Sequence, residues 1–225
     1  MLTPEEISIN WKHLQAWFTP YEEPSTPIRK TFNCMRGLFD FYKDDFVDED
    51  GVRVYGMMNA PAATGVHHNY EGGLVQHYLE MLEMTNGVIR LVIGNDSIST
   101  DDISTLKVGI ILHDFHKAYL HFCQSPGGKY GDFAYYKHLS NVLLTDNQKT
   151  WHMLDQVNYK VDIPFTLRNL VESSEGGWAD NPPKEVTVLG KICYLLDELS
   201  VVKHRVAVGN IYSIYPRSRA FMFQP

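Results

Sequence analysis

Polar side chains set inside apolar helical runs are where this chain's chemistry is to be sought. His77 follows Leu74-Val75, His113-Asp114 closes the run "VGIIL", and Asp197 interrupts "CYLLDEL". Burying a carboxylate or an imidazole is costly unless the group is paired or bound to a cation. One such residue is ordinary: a lone helical His is commonly a satisfied core or surface residue, and a lone Asp beside leucines commonly caps or pairs with an Arg. Four of them on three runs invite a single explanation, a shared metal ion. Two imidazoles and two carboxylates make a mixed nitrogen and oxygen set suited to Mn, Mg, Fe, Co or Ni, one or two ions per chain. Positions would stay open for water and a phosphate oxygen, unlike a sulfur-rich structural zinc site. A divalent cation there would bring the pKa of a bound water toward neutrality and offset charge on a phosphoryl group.

The elements that must position these groups read as helices. Apolar spacing predicts helices over 4–18 and 28–43, with a break at "TPYEEPSTP" between them. "DEDGVRVYGM" reads as a turn with a short extended piece. Gly72-Gly73 opens a helical run from Leu74 to about Ile93. Ser99 or Thr100 caps the next helix, which is apolar enough to be deeply buried and delivers His113-Asp114 at its end. After the Gly-rich loop "SPGGKYGDF", a helix is expected around 133–143. A Thr145/Gln148 capping box opens another, "PFTLRNLVESSE" supplies one more, and "PPKEVTVLGKICYLLDELSVVKHRV" the last long one. From Gly209 the tail reads as a short hairpin or extended wrap.

With 225 residues, 44% hydrophobic and 21% charged, the chain suits one compact unit. Its start is acidic and amphipathic, unlike a signal peptide, and no run approaches a membrane span, so a cytoplasmic protein without a membrane partner is expected. The three cysteines, Cys34, Cys123 and Cys193, lie far apart and predict buried thiols rather than a disulfide framework. A net charge of −7 argues against a broad non-specific nucleic-acid surface. "KHR" at 203–205 and "RSR" at 217–219 are local basic clusters, or simply solvated ends.

The order His77, His113-Asp114, Asp197 resembles the HD-domain metal-dependent phosphohydrolases. "NAPAATGVHHNYEGGLVQHYLEM" is most similar to the branch holding 3′-to-5′ HD-domain exoribonucleases and the HD domains of some conjugative relaxases, where a His-His precedes a Gly-Gly-Leu and the ligand His. The resemblance implies an all-α helical bundle over about 55–208, with an N-terminal helical extension at 1–54 and a short extended C-terminal tail at 209–225. It implies His77, His113, Asp114 and Asp197 as metal ligands. His67 and His68 would sit at the pocket mouth, contacting substrate phosphate or helping to hold a second cation, unless they only brace the Gly-Gly loop.

"HDFHKA" carries His116 where the family often has Gly, and Lys117 in the matching Lys position. That Lys is expected to face the scissile phosphate, whereas the deoxynucleotidase branch has a proton-transferring Glu there; a helix-end Lys complementing the dipole is the plain alternative. "VESSEGGW" has Ser174-Glu175-Gly176 where the exonuclease branch often has His-His-Gly. Glu175 would then be an oxygen ligand or general base, with His116 or Lys117 assisting, or the second metal has been lost. His138 and Lys129 are further substrate contacts, and Tyr70, Tyr130, Phe133, Tyr135, Tyr136 and Trp178 could stack a base or serve the core.

The resulting expectation is a metal-dependent hydrolase of a nucleotide or deoxynucleotide phosphoester. A 3′-to-5′ exonuclease on short single-stranded RNA or DNA, and a non-catalytic nucleotide-binding module, are the alternatives. Homo-oligomerisation is left open.

Overall fold

The computed structural model describes residues 2–63, 67–94, 98–119, 122–124, 133–135, 144–157, 163–174 and 185–207. Within them the fold is all-α: α1 (Pro4–Trp17), α2 (Pro27–Phe41), α3 (Gly73–Ile93), α4 (Thr100–Leu112), α5 (Asp146–Gln156), α6 (Phe165–Ser173) and α7 (Val188–Ala207). A single 3-10 turn, Phe115–Lys117, follows α4. No helix among the described residues is long and apolar enough to cross a membrane.

Most of these helices begin where side-chain oxygens can take up their unpaired amides. Thr3 and Thr145 form full capping boxes with Glu6 and Gln148, Thr26 caps α2, and Ser99 caps α4. Helix α3 starts differently. Its N-cap is Gly72, at φ +78°, and a Cβ on Gly73 would collide with the His68 carbonyl. The Gly-Gly pair therefore lets the His67-His68 segment lie directly against the first turn of α3.

The core is continuous from the N-terminal helices to the last one. Trp11, Leu14 and Phe18 of the first segment and Phe32, Met35 and Phe39 of α2 join one apolar cluster with Leu74, Tyr78 and Met81 of α3, Leu106, Val108 and Ile110–Leu112 of α4, Leu170 of α6 and Leu196 of α7. Helix α3 packs on α1 and α7, and α4 packs on α2 and α6, so α3 and α4 are central. At Gly109 the approach is so close that an added Cβ would run into the Leu170 side chain.

Beside the helices lies a small antiparallel sheet of four strands, β1 (Phe46–Val47), β2 (Arg53–Val54), β3 (Phe122–Gln124) and β4 (Phe133–Tyr135), in sequential order. β1 and β2 are joined by a turn in which Asp48 Oδ1 accepts from the Asp50 and Val52 amides and Gly51 takes φ +77°. β4 corrects the expected helix around 133–143: it pairs residue for residue with β3, Phe122 opposite Tyr135. Residues 136–143 and the tail from 209 lie outside the described residues. Cys193 is buried as expected, whereas Cys34 is partly exposed.

Candidate metal centre

Three elements deliver the four candidate ligands to one place. His77 stands one turn into α3, His113 caps the C-terminus of α4 with Asp114 just beyond, and Asp197 lies midway along α7. The end of α4 is pinned by α5, where the Thr150 hydroxyl donates to the Leu112 carbonyl at 3.2 Å. His77 Nε2 is 3.3 Å from Asp197 Oδ1 and 3.8 Å from Asp114 Oδ2, and His113 Nε2 is 3.4 Å from Asp114 Oδ2. His77, His113 and Asp114 are buried, and the Asp197 side chain keeps 21% of its exposure.

The other nitrogen of each imidazole decides where its proton sits. His113 Nδ1 is 2.6 Å from the Ile110 carbonyl, which can only accept, so that nitrogen bears the hydrogen. His77 Nδ1 is 3.0 Å from Ser200 Oγ, whose own hydrogen is donated to Glu80 Oε2 at 3.0 Å. Ser200 therefore accepts from His77 Nδ1–H. Burial pushes the His77 pKa down, so the ring is neutral and its Nε2 is a bare lone pair. Nε2 of His77 and of His113 makes no hydrogen bond. Two lone pairs facing carboxylate oxygens at 3.3–3.4 Å repel unless a cation lies among them. The set fits a divalent ion: His77, His113 and Asp114 offer ligand atoms within 4.8 Å of one another, and these buried groups could hold a metal ion.

Asp114 is further biased toward its anionic form. Burial raises its pKa, but the Lys117 ammonium, 2.5 Å from Oδ2, outweighs that and holds it far below the usual carboxylate range. Lys117 reaches it because the 3-10 turn closes from the Lys117 amide onto the Asp114 carbonyl at 3.0 Å.

The remaining predicted residues fall in three places. His67 and His68 are buried beside His77, with ring centroids 5.3 and 5.5 Å from it, rather than lining an exposed mouth. His68 holds φ +45°, a left-handed backbone unusual for a non-glycine residue. His116 is turned to the first turn of α5, Nε2 lying 3.6 Å from Asp146 Oδ2, and burial pushes its pKa down to about 4. Glu175, His138, Lys129, Tyr130, Tyr136 and Trp178 lie outside the described residues, while Phe133 and Tyr135 belong to β4.

Two functional residues escaped the reading of the sequence, Glu80 and Ser200. Each lies three positions after a candidate ligand, His77 and Asp197, on the same helical face. A polar residue at that offset in an apolar run was the available signal. Compared with protein-family models, with curated proteins and with solved structures, the chain gives no match.

Proposed function

We propose that this chain is a divalent-metal-dependent phosphohydrolase of the HD type, cleaving a phosphoester of a nucleotide or deoxynucleotide. One observation carries the reading: the bare Nε2 lone pairs of His77 and His113, gathered with the carboxylates of Asp114 and Asp197 and with the Lys117 ammonium. A divalent cation held there supplies Lewis acidity, easing deprotonation of water and drawing charge from a phosphoryl group.

The chain's own residues do the rest. His77, His113, Asp114 and Asp197 hold the cation, and the hydrogen bonds at both Nδ1 atoms keep the rings aimed. Lys117 is a fixed positive charge beside Asp114, available to a phosphate oxygen as negative charge builds on it. Asp197, the most exposed of the four, marks the side open to a substrate. The net charge of −7 favours a small substrate over a polymer that would need several phosphate contacts.

The test is product analysis by mass spectrometry after incubation with Mn²⁺ and a panel of nucleotides and short single-stranded RNA and DNA, alongside Asp114→Asn. Products made by the wild type and lost in the variant are expected. Hydrolysis of oligonucleotides alone, falling steeply with salt, would move the assignment to an exonuclease. A protein that binds nucleotide and hydrolyses nothing would make it a binding module.

A further inference from the structure

A groove of about 420 Å³, enclosed by the end of α1, the segment after it, α2 and α4, shares no residue with the cation centre. Its wall holds a charge without a counter-charge, Lys107, half-buried midway along α4. One turn to either side of it stand Ile103, Ser104, Ile110 and Ile111, so its own helix offers no carboxylate at pairing distance. The facing elements offer rings: Lys107 Nζ lies 5.1 Å from the centroid of Trp17 and 6.0 Å from that of Phe32. Ring faces attract a cation but give its N–H donors no oxygen to bond. Burial lowers the Lys107 pKa, and no carboxylate offsets it.

The rest of the wall carries no acid and is held in place. The Tyr21 amide donates to Asn33 Oδ1 at 2.7 Å, and Asn33 Nδ2 donates back to the Tyr21 carbonyl at 2.8 Å. The Tyr21 hydroxyl shares a 2.7 Å hydrogen bond with Ser104, and its ring packs on Phe32 with centroids 5.2 Å apart. The His13 imidazole stands exposed at the rim. Among the described residues no Asp or Glu lines the groove, and Asp101, in the first turn of α4, is taken by Arg29 at 2.8 Å. In a chain of net charge −7, a groove with an ammonium and no acid selects for anions. A bound oxyanion gives that ammonium the charge-assisted hydrogen bond the protein withholds.

We propose that this groove is a second binding site, which takes the phosphate or carboxylate group of a small molecule on the Lys107 ammonium, with Trp17 and Phe32 holding that ammonium in place and His13 at the rim. It stands independently of the metal-dependent reading above.

The experiment is a titration of the full chain, labelled with nitrogen-15, with inorganic phosphate and separately with acetate, the ionic strength being held constant with NaCl. The indole N–H resonance of Trp17, assigned by its loss in Trp17→Phe, reports on the groove. A saturable shift of that resonance is expected, and the ion that binds more tightly names the group. Lys107→Met, which keeps the length of the side chain without its charge, should weaken the binding roughly ten- to a hundred-fold, and Lys107→Arg should weaken it less. Asp114→Asn should respond as the wild type does, which separates this site from the cation centre. A Trp17 resonance that ignores both anions, or that shifts equally in Lys107→Met, would overturn the proposal and leave Lys107 as a cation–π contact tying α4 to α1. Where Lys107→Met does not fold, the wild-type titration and Lys107→Arg decide: no shift in the first, or equal affinity of the second for both anions, overturns it.

Discussion

At Asp114 a single carboxylate oxygen is claimed twice, by the Lys117 ammonium at 2.5 Å and by the space that His77 and His113 face. The two positive charges compete for it. Lys117→Ala should therefore tighten divalent-cation binding, because a like charge is removed from the site, while lowering kcat by about 10²–10³ through loss of transition-state charge stabilisation. Equilibrium dialysis with Mn²⁺ and single-turnover rates separate the two effects; weaker cation binding in the variant would assign Lys117 to supporting the site instead. The ligand residues were legible because a charged group amid leucines announces itself. Their partners were not. Glu80 and Ser200 are 120 positions apart, and the hydroxyl that orients His77 looks, in the sequence, like any small residue on a helix.

At the scale of elements, glycines show where helices must touch. Gly87 sits within α3 with nothing within 4 Å of an added Cβ, whereas a Cβ on Gly109 of α4 would strike Leu170 of α6. Gly87→Ala should stabilise the protein by about 0.5–1 kcal/mol through helix propensity and reduced unfolded-state freedom. Gly109→Ala should destabilise it by roughly 1–3 kcal/mol through overpacking. Denaturant titrations of the two variants provide the check, and a neutral Gly109→Ala would mean that α4 and α6 are free to part. Helices with caps and long apolar periods could be read directly, the Thr145/Gln148 box among them. The sheet could be read only in part: "DEDGVRVYGM" announces a turn and an extended piece where β2 lies, whereas β3 and β4, three residues each, owe their shape to pairing across a Gly-rich stretch rather than to any local alternation. The segment from Phe133 carries apolar residues that suit either period, and pairing with Phe122–Gln124 decided it.

For the molecule as a whole, the consequence follows from where the ligands come from. His77, His113-Asp114 and Asp197 ride on α3, the end of α4 and α7, helices that share one apolar core with the N-terminal pair. A cation that binds only the assembled site must therefore stabilise the entire fold rather than a loop. At a free concentration of about 100 times Kd the gain is about 2.7 kcal/mol, which for a chain of this size corresponds to a rise in Tm of roughly 5–10 °C. The rise should grow with the logarithm of cation concentration and be lost in Asp114→Asn. Without the cation, that variant should unfold more easily than the wild type, because it loses the ion pair with Lys117 that holds the Asp114 pKa down, a loss only partly offset by relief of a carboxylate facing bare imidazole nitrogens. Scanning calorimetry at several Mn²⁺ concentrations reads both effects. A Tm indifferent to every divalent cation would mean that the bare nitrogens of His77 and His113 are met by something else, and the metal-dependent reading would fall with it.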